Sequence, residues 1–218
     1  MLKAIIFDYD DTLVQTRKTR YKTISNLALE EFKYKINVKE IDAAWGLPAD
    51  DFLIKLFGKF TSDLNLIWKL YLEYSIKDKN VPHDSSFEFI EKYQKFLNIG
   101  IVTSSSEKVV LRELNELNIN LDYFFFIQTS DYTNVHKPDP NVFLPINEKL
   151  TFNNIQKNEV IYIGDSPSDF YSSTKFGYNF LGIAHDPRYK DFFLNENINF
   201  VENFNDLEKY IVEMQNYA

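Results

Sequence analysis

Five short apolar runs, at residues 3–8, 98–103, 123–128, 159–164 and 178–183, set the frame within which this chain must fold. Each has the length and the β-branched or aromatic content of a buried strand. Helical patterns fill the intervals. Val110, Leu114 and Leu117 recur at helical spacing in one of them, and residues 205–214 form another amphipathic stretch. Strands without a polar face, alternating with helices, need cover on both sides. The expected fold class is therefore α/β, a Rossmann-like doubly wound parallel sheet.

One interval is too long for this rhythm. A strand-helix-strand unit takes about 30 residues, and the first and second runs lie much further apart than that, with the surplus reading as helix throughout. The economical division is a core domain of residues 1–14 and 84–218 carrying an inserted α-helical subdomain at 15–83. Ile24, Leu27 and Phe32, then Phe52, Leu56 and Phe57, then Ile67, Leu70 and Leu72 are the candidate core of the insert, with Gly46, Leu47 and Pro48 punctuating its helices.

The chemistry concentrates where the runs end. In an open parallel sheet, ligands bind beyond the carboxyl ends of the strands. Asp8 and Asp10 follow the first run, Thr103 and Ser104 the second, and Asp165 with Asp169 the fourth, while Lys137 lies in the loop after the third. Carboxylates crowded like this repel one another unless something neutralises them. Carboxylate oxygens without imidazole or thiolate suit a hard cation such as Mg2+. A carboxylate can also accept a phosphoryl group as nucleophile, and a second one, two residues on, is placed for acid and base work. An EF-hand loop is excluded as the reading of this acidic stretch, because its sixth position here is Leu13 and its twelfth is Thr19 instead of glycine and glutamate. Ser166, Pro167 and Asp169 also read as a helix start with a capping box, a role that can coexist with a metal role. Ser104 to Ser106, and Asp139 with Pro140, are candidate helix caps as well.

Four motifs in order, DYDDT at 8–12, IVTS at 101–104, KPDP at 137–140 and IGDSPSD at 163–169, resemble those of the haloacid dehalogenase superfamily of phosphohydrolases. The helical insert after the first motif is similar to the cap of the phosphoglycolate phosphatase-like and β-phosphoglucomutase-like branch. The resemblance implies an Mg2+-dependent phosphatase that hydrolyses a small phosphate monoester through an aspartyl phosphate. Asp8 would be the nucleophile, and Asp10 would protonate the leaving oxygen and then activate water. Thr103, Ser104 and Lys137 would hold phosphoryl oxygens. Asp8, the main-chain carbonyl of Asp10 and Asp165 would bind the metal, with Asp169 a ligand through water or a partner behind them. Asp11 stands where many relatives have glycine, and the presence of Asp10 argues against the dehalogenase branch. A phosphomutase is the alternative, and a binding module retaining the fold a second. Mutases of this kind place a histidine and a lysine of the cap near the sugar, whereas this insert opens with Gln15, Thr16, Arg17, Lys18 and Arg20 and has no histidine before His83.

Composition narrows the partners. A formal net charge of −8 is unsuited to binding a phosphate backbone or an anionic membrane. The chain has no cysteine, so disulfides and thiolate ligands are excluded. No apolar stretch approaches the roughly 20 residues of a membrane helix, and the first residues reach acid too early for a signal peptide. A cytoplasmic enzyme acting on a small phosphorylated metabolite, as a monomer or weak homodimer, is the expectation. His83, His136 and His185 are scattered and are not expected to hold metal. Arg20, with Arg17 and Lys18, suits either an anionic leaving group or a solvated helix face.

Overall fold

The computed structural model describes residues 1–45, 47 and 49–216, so the expected punctuation at Gly46 and Pro48 lies outside the described residues. The chain forms two compact units, one of Met1–Gln15 with Val81–Ala218 and the other of Thr16–Asn80.

In the first unit a parallel sheet of six strands forms from β1 (Ala4–Phe7), β2 (Asn98–Val102), β3 (Phe126–Gln128), β4 (Val160–Gly164), β5 (Asn179–Ile183) and β6 (Phe200–Val201). The spatial order is β3-β2-β1-β4-β5-β6, so chain order reverses between β1 and β4. That reversal is the switch point at which doubly wound sheets open a crevice. Alternation along β1 sorts the core into two layers. Ile5 and Phe7 face one layer with Ile99, Ile101, Ile161 and Ile163, while Ala4 and Ile6 face the other with Val160 and Tyr162. Covering the first layer are residues of α5 (Ser86–Tyr93), α6 (Glu107–Glu116) and α10 (Phe204–Asn216); α7 (Leu144–Phe152) and α8 (Pro167–Phe176) cover the second. Another helix, α9 (Pro187–Asn195), follows β5.

The third run is shorter as a strand than its pattern suggests, because Leu121–Tyr123 turns as a 3-10 helix capped by the Asn120 side chain. Strand β6, two residues long, has too little pattern to be read from the sequence.

The second unit consists of α1 (Thr16–Phe32), α2 (Val38–Asp42), α3 (Ala49–Phe57) and α4 (Leu64–Ser75). Ile24, Leu27, Leu56, Phe57 and Ile67 are buried in its own core, with Phe32, Phe52 and Leu70 packed against them. Leu72 is instead 47% exposed. The inward stripe of α4 runs Ile67, Leu70, Tyr71 and Tyr74, and Leu72, five residues from Ile67, falls off it at 3.6 residues per turn. Among the described residues no helix is long and apolar enough to cross a membrane.

Candidate active site

The site begins with the ends of β1 and β4. Phe7 pairs with Ile163, and the Asp8 amide donates to the Ile163 carbonyl at 2.8 Å. Asp8 and Asp165 therefore leave adjacent strands on either side of the switch point. Each is buried.

Lys137 reaches them from the loop after β3. Its Nζ donates to Asp8 Oδ1 and to Asp169 Oδ1, each at 2.6 Å, and its side chain is only 6% exposed. Tyr162 completes the cluster. Its hydroxyl lies 3.1 Å from Lys137 Nζ, from Asp169 Oδ1 and from the Val102 carbonyl; it accepts from the ammonium and shares its one proton between the two oxygens. Burial opposes the charge on Lys137, but Asp169 and Asp8 outweigh it and lift the ammonium well above its usual range. Burial lifts Asp8 to about 8, against the pull of Lys137 and with the support of Asp169 and Asp10. Burial likewise raises Asp165, followed by the charges of Asp169 and Asp8.

Asp169 has two functions at once. Ser166 is the N-cap of α8, with Pro167 at the first position, and Asp169 closes the capping box. Its Oδ2 accepts from the Ser166 hydroxyl at 2.6 Å and from the Ser166 amide at 3.1 Å, while Oδ1 takes Lys137 and Tyr162. The glycine of the same motif makes room for it: a Cβ at Gly164 would fall 2.5 Å from Asp169 Cγ. Because Asp169 is held by donors on both oxygens, it cannot yield as a flexible side chain would. Gly164→Ala is expected to cost about 1–3 kcal/mol through overpacking and to lower turnover, read by thermal unfolding and an activity assay on the same preparation.

A second carboxylate stands in different surroundings. Asp10 is half-buried, and its Oδ2 accepts from Ser105 Oγ at 2.6 Å and from Thr103 Oγ1 at 3.3 Å. Thr103 Oγ1 in turn accepts from the Ser105 amide at 3.0 Å. Ser104 is exposed, so the hydroxyl beside Asp10 is that of Ser105, one position further on. Ser106 is the N-cap of α6 without a side-chain cap bond, and Asp131 Oδ2 accepts from the Glu107 amide instead. Asp139 caps the turn at Pro140–Phe143 through the Asn141 amide. His136 is exposed. Arg20 belongs to the helical unit, where its guanidinium lies 6.0 Å from the centre of the Trp45 ring and that of Arg17 lies 4.6 Å from the same ring.

Asp8, Asp165 and Asp169 each offer a carboxylate oxygen within 4.8 Å of the others. An all-oxygen, buried donor set of this kind fits a hard divalent cation. Thr12 Oγ1 donates to Asp165 Oδ1 at 3.4 Å, orienting that carboxylate in the manner of an outer-shell partner. Tyr162 and Ser105 were not singled out from the sequence. The first lies inside an apolar run and reads as core, and the second reads as part of a helix cap.

The sheet order and the acidic cluster at its switch point define a doubly wound α/β core with a candidate metal centre in its crevice. Residues 5–183 match the family described as haloacid dehalogenase-like hydrolase, and the chain belongs to it. It is 25% identical over 187 residues to a candidate pyrophosphatase, PpaX, of Clostridium perfringens, covering 85% of each chain. It is 28% identical over 200 residues to the glyceraldehyde 3-phosphate phosphatase of Pyrococcus furiosus, covering 81% of this chain and 78% of that one. In fold it is similar to the magnesium-bound crystal structure of the candidate HAD-hydrolase YfnB from Bacillus subtilis, with a TM-score of 0.78, 17% identity and coverage of 96% and 98%.

Proposed function

We propose that this hydrolase is a phosphatase that cleaves a small phosphate monoester through a phosphorylated Asp8. The observation that carries the reading is the contrast between two carboxylates two residues apart. Asp8 is buried against an ammonium, whereas Asp10 is held by two hydroxyls, and paired acids in unlike environments divide acid and nucleophile roles between them.

Asp8 attacks phosphorus as the ester P–O bond breaks, and Asp10 delivers its proton to the leaving oxygen. Asp10 then takes a proton from the water that attacks phospho-Asp8, releasing inorganic phosphate and restoring the Asp8 carboxylate and the protonated Asp10. Lys137 and Thr103 hold phosphoryl oxygens during both steps. Asp8, Asp165 and the main-chain carbonyl of Asp10 would hold a divalent cation such as Mg2+, with Asp169 behind them, and that cation would offset the phosphoryl charge. Water is the acceptor, since the helical insert supplies no histidine of its own before His83.

Phosphate release from p-nitrophenyl phosphate and from a panel of metabolite esters tests this reading. Full turnover in excess chelator would reject the metal. A binding readout accompanies it. In the metal-free protein the raised folded-state pKa of Asp8 contributes stability that is present below its unfolded value near 4 and is lost as pH rises towards about 8, and the raised pKa of Asp165 acts in the same direction. Metal binding needs both deprotonated. The stabilisation on adding Mg2+, read as a rise in Tm, is therefore expected to be larger at pH 8 than at pH 6, approaching about 2.7 kcal/mol where the ion is in hundredfold excess over Kd. An increment that shrinks as pH rises would contradict the ligand assignment.

A further inference from the structure

Two imidazoles from distant parts of the chain stack beside the catalytic turn. The rings of His83, ahead of α5, and His185, after β5, lie 3.6 Å apart and within 6° of parallel. Both residues are half-buried, but both Nε2 atoms are fully buried and have no hydrogen-bond partner. The main chain faces each ring, that of Asp11 beside His83 and that of Thr12 beside His185, and favours a proton on the ring nitrogen turned towards it. With Nε2 unpartnered, that nitrogen is Nδ1, and facing a carbonyl it carries the proton. A charged ring would bury a second N–H with no acceptor, which is costly, and two stacked charges would repel. Burial accordingly takes His83 down to about 3, helped by His185, and His185 down to about 4, against the pull of Asp84. The pair is neutral across the working range.

The turn that these rings touch is strained. Asp11 has φ +58°, in the left-handed region, where a residue with a Cβ is disfavoured. Such a conformation persists only where its surroundings over-determine it. The main chain of His83 adds to this restraint, its amide donating to the Leu13 carbonyl at 2.9 Å, while Leu13 donates to Tyr9 and Asp11 to Val14. On one side of the strained residue is Asp10, and on the other is Thr12, whose hydroxyl meets Asp165.

We propose that the stacked His83–His185 pair is a positioning clamp that holds the strained turn at residues 10–12 and so aligns Asp10 for proton transfer. The clamp's second role rests on the phosphatase reading, and the experiment separates the two. His83→Phe keeps a flat ring and removes the donor; His83→Asn puts an amide N–H near the position of Nδ1. Each is made alone and with Asp11→Gly, which relieves the left-handed strain, and amide exchange at Leu13 and Val14 is followed in the full-length, metal-free protein beside steady-state kinetics.

With His83→Phe we expect exchange to quicken and kcat to fall, each by about tenfold, with KM within about twofold. His83→Asn should recover most of both. In the Asp11→Gly background the same Phe substitution should cost less than about threefold, a non-additivity that a residue serving only global stability would not produce. His185→Phe, acting through Thr12, provides the same test should His83→Phe fail to fold. Equal losses in both backgrounds, or Asn as impaired as Phe, would overturn the clamp. Absence of turnover in the wild-type protein beside the expected exchange pattern would overturn the phosphatase reading and uphold the clamp on the turn.

Discussion

Replacing Asp8 with Asn is expected to abolish turnover, by at least about a thousandfold in kcat/KM, while the fold survives or becomes more stable. The amide cannot attack phosphorus, so no phosphoenzyme forms. Structurally the change is mild. Asp8 is 5% exposed, and burial already pushes its carboxyl up towards the neutral form, so an uncharged group of the same shape removes a desolvation cost. The sign of the stability change follows. A raised folded-state pKa contributes stability below the unfolded pKa and loses it as pH rises to about 8. In metal-free buffer the Tm of the Asn variant relative to wild type should therefore increase from pH 4 to pH 8. Rapid-quench trapping of phosphate on Asp8 in the wild-type protein, and its absence in the variant, completes the test. Residual activity within about tenfold of wild type would remove Asp8 from the nucleophile role.

Lys137→Met is expected to damage both stability and catalysis, and pH separates the two. The ammonium sits between Asp8 and Asp169 at 2.6 Å from each, with all three side chains buried. Removing one partner of a buried ion cluster typically costs about 3–5 kcal/mol, or roughly 10 °C for a chain of this size. At pH 8 the uncompensated carboxylates must either remain charged in a dry site or take up protons. At pH 5 the Asp8 carboxyl, lifted by burial to about 8 even against the pull of Lys137, is neutral, so much of the lost stability should return. Activity should not return with it, because no cation then faces the phosphoryl oxygens; a loss of about a thousandfold is expected at either pH. Recovery of turnover at pH 5 in step with Tm would show that Lys137 serves folding alone.

The parts of this site that could be read from the chain are those whose signal is local. Asp8, Asp10, Asp165 and Lys137 follow the ends of apolar runs or lie in the loops between them, and the period of the pattern already says that such positions collect at one edge of a parallel sheet. The Ser166 to Asp169 capping box was legible for the same reason, since every partner lies within one helical turn. Tyr162 was not. Two strand positions ahead of Gly164, it carries the period of a core residue, and only the neighbouring Lys137 loop converts its hydroxyl into a contact within the charged cluster. Ser104 and Ser105 differ by a single step along a loop without a repeating period, so the sequence had no means of ranking them.

The amino-acid sequence by itself determined the alternation of strands and helices and the acids that follow the runs, because hydrophobic period and turn chemistry act over a few residues. Tertiary structure decided which side chains meet. Strand order brings Asp8 beside Asp165 across 156 intervening positions of chain. It also stacks His83 on His185 and sets Lys137, from a distant loop, against both Asp8 and Asp169. Such meetings depend on how two packed layers close around one sheet, and no residue's local preference encodes its partner across that closure.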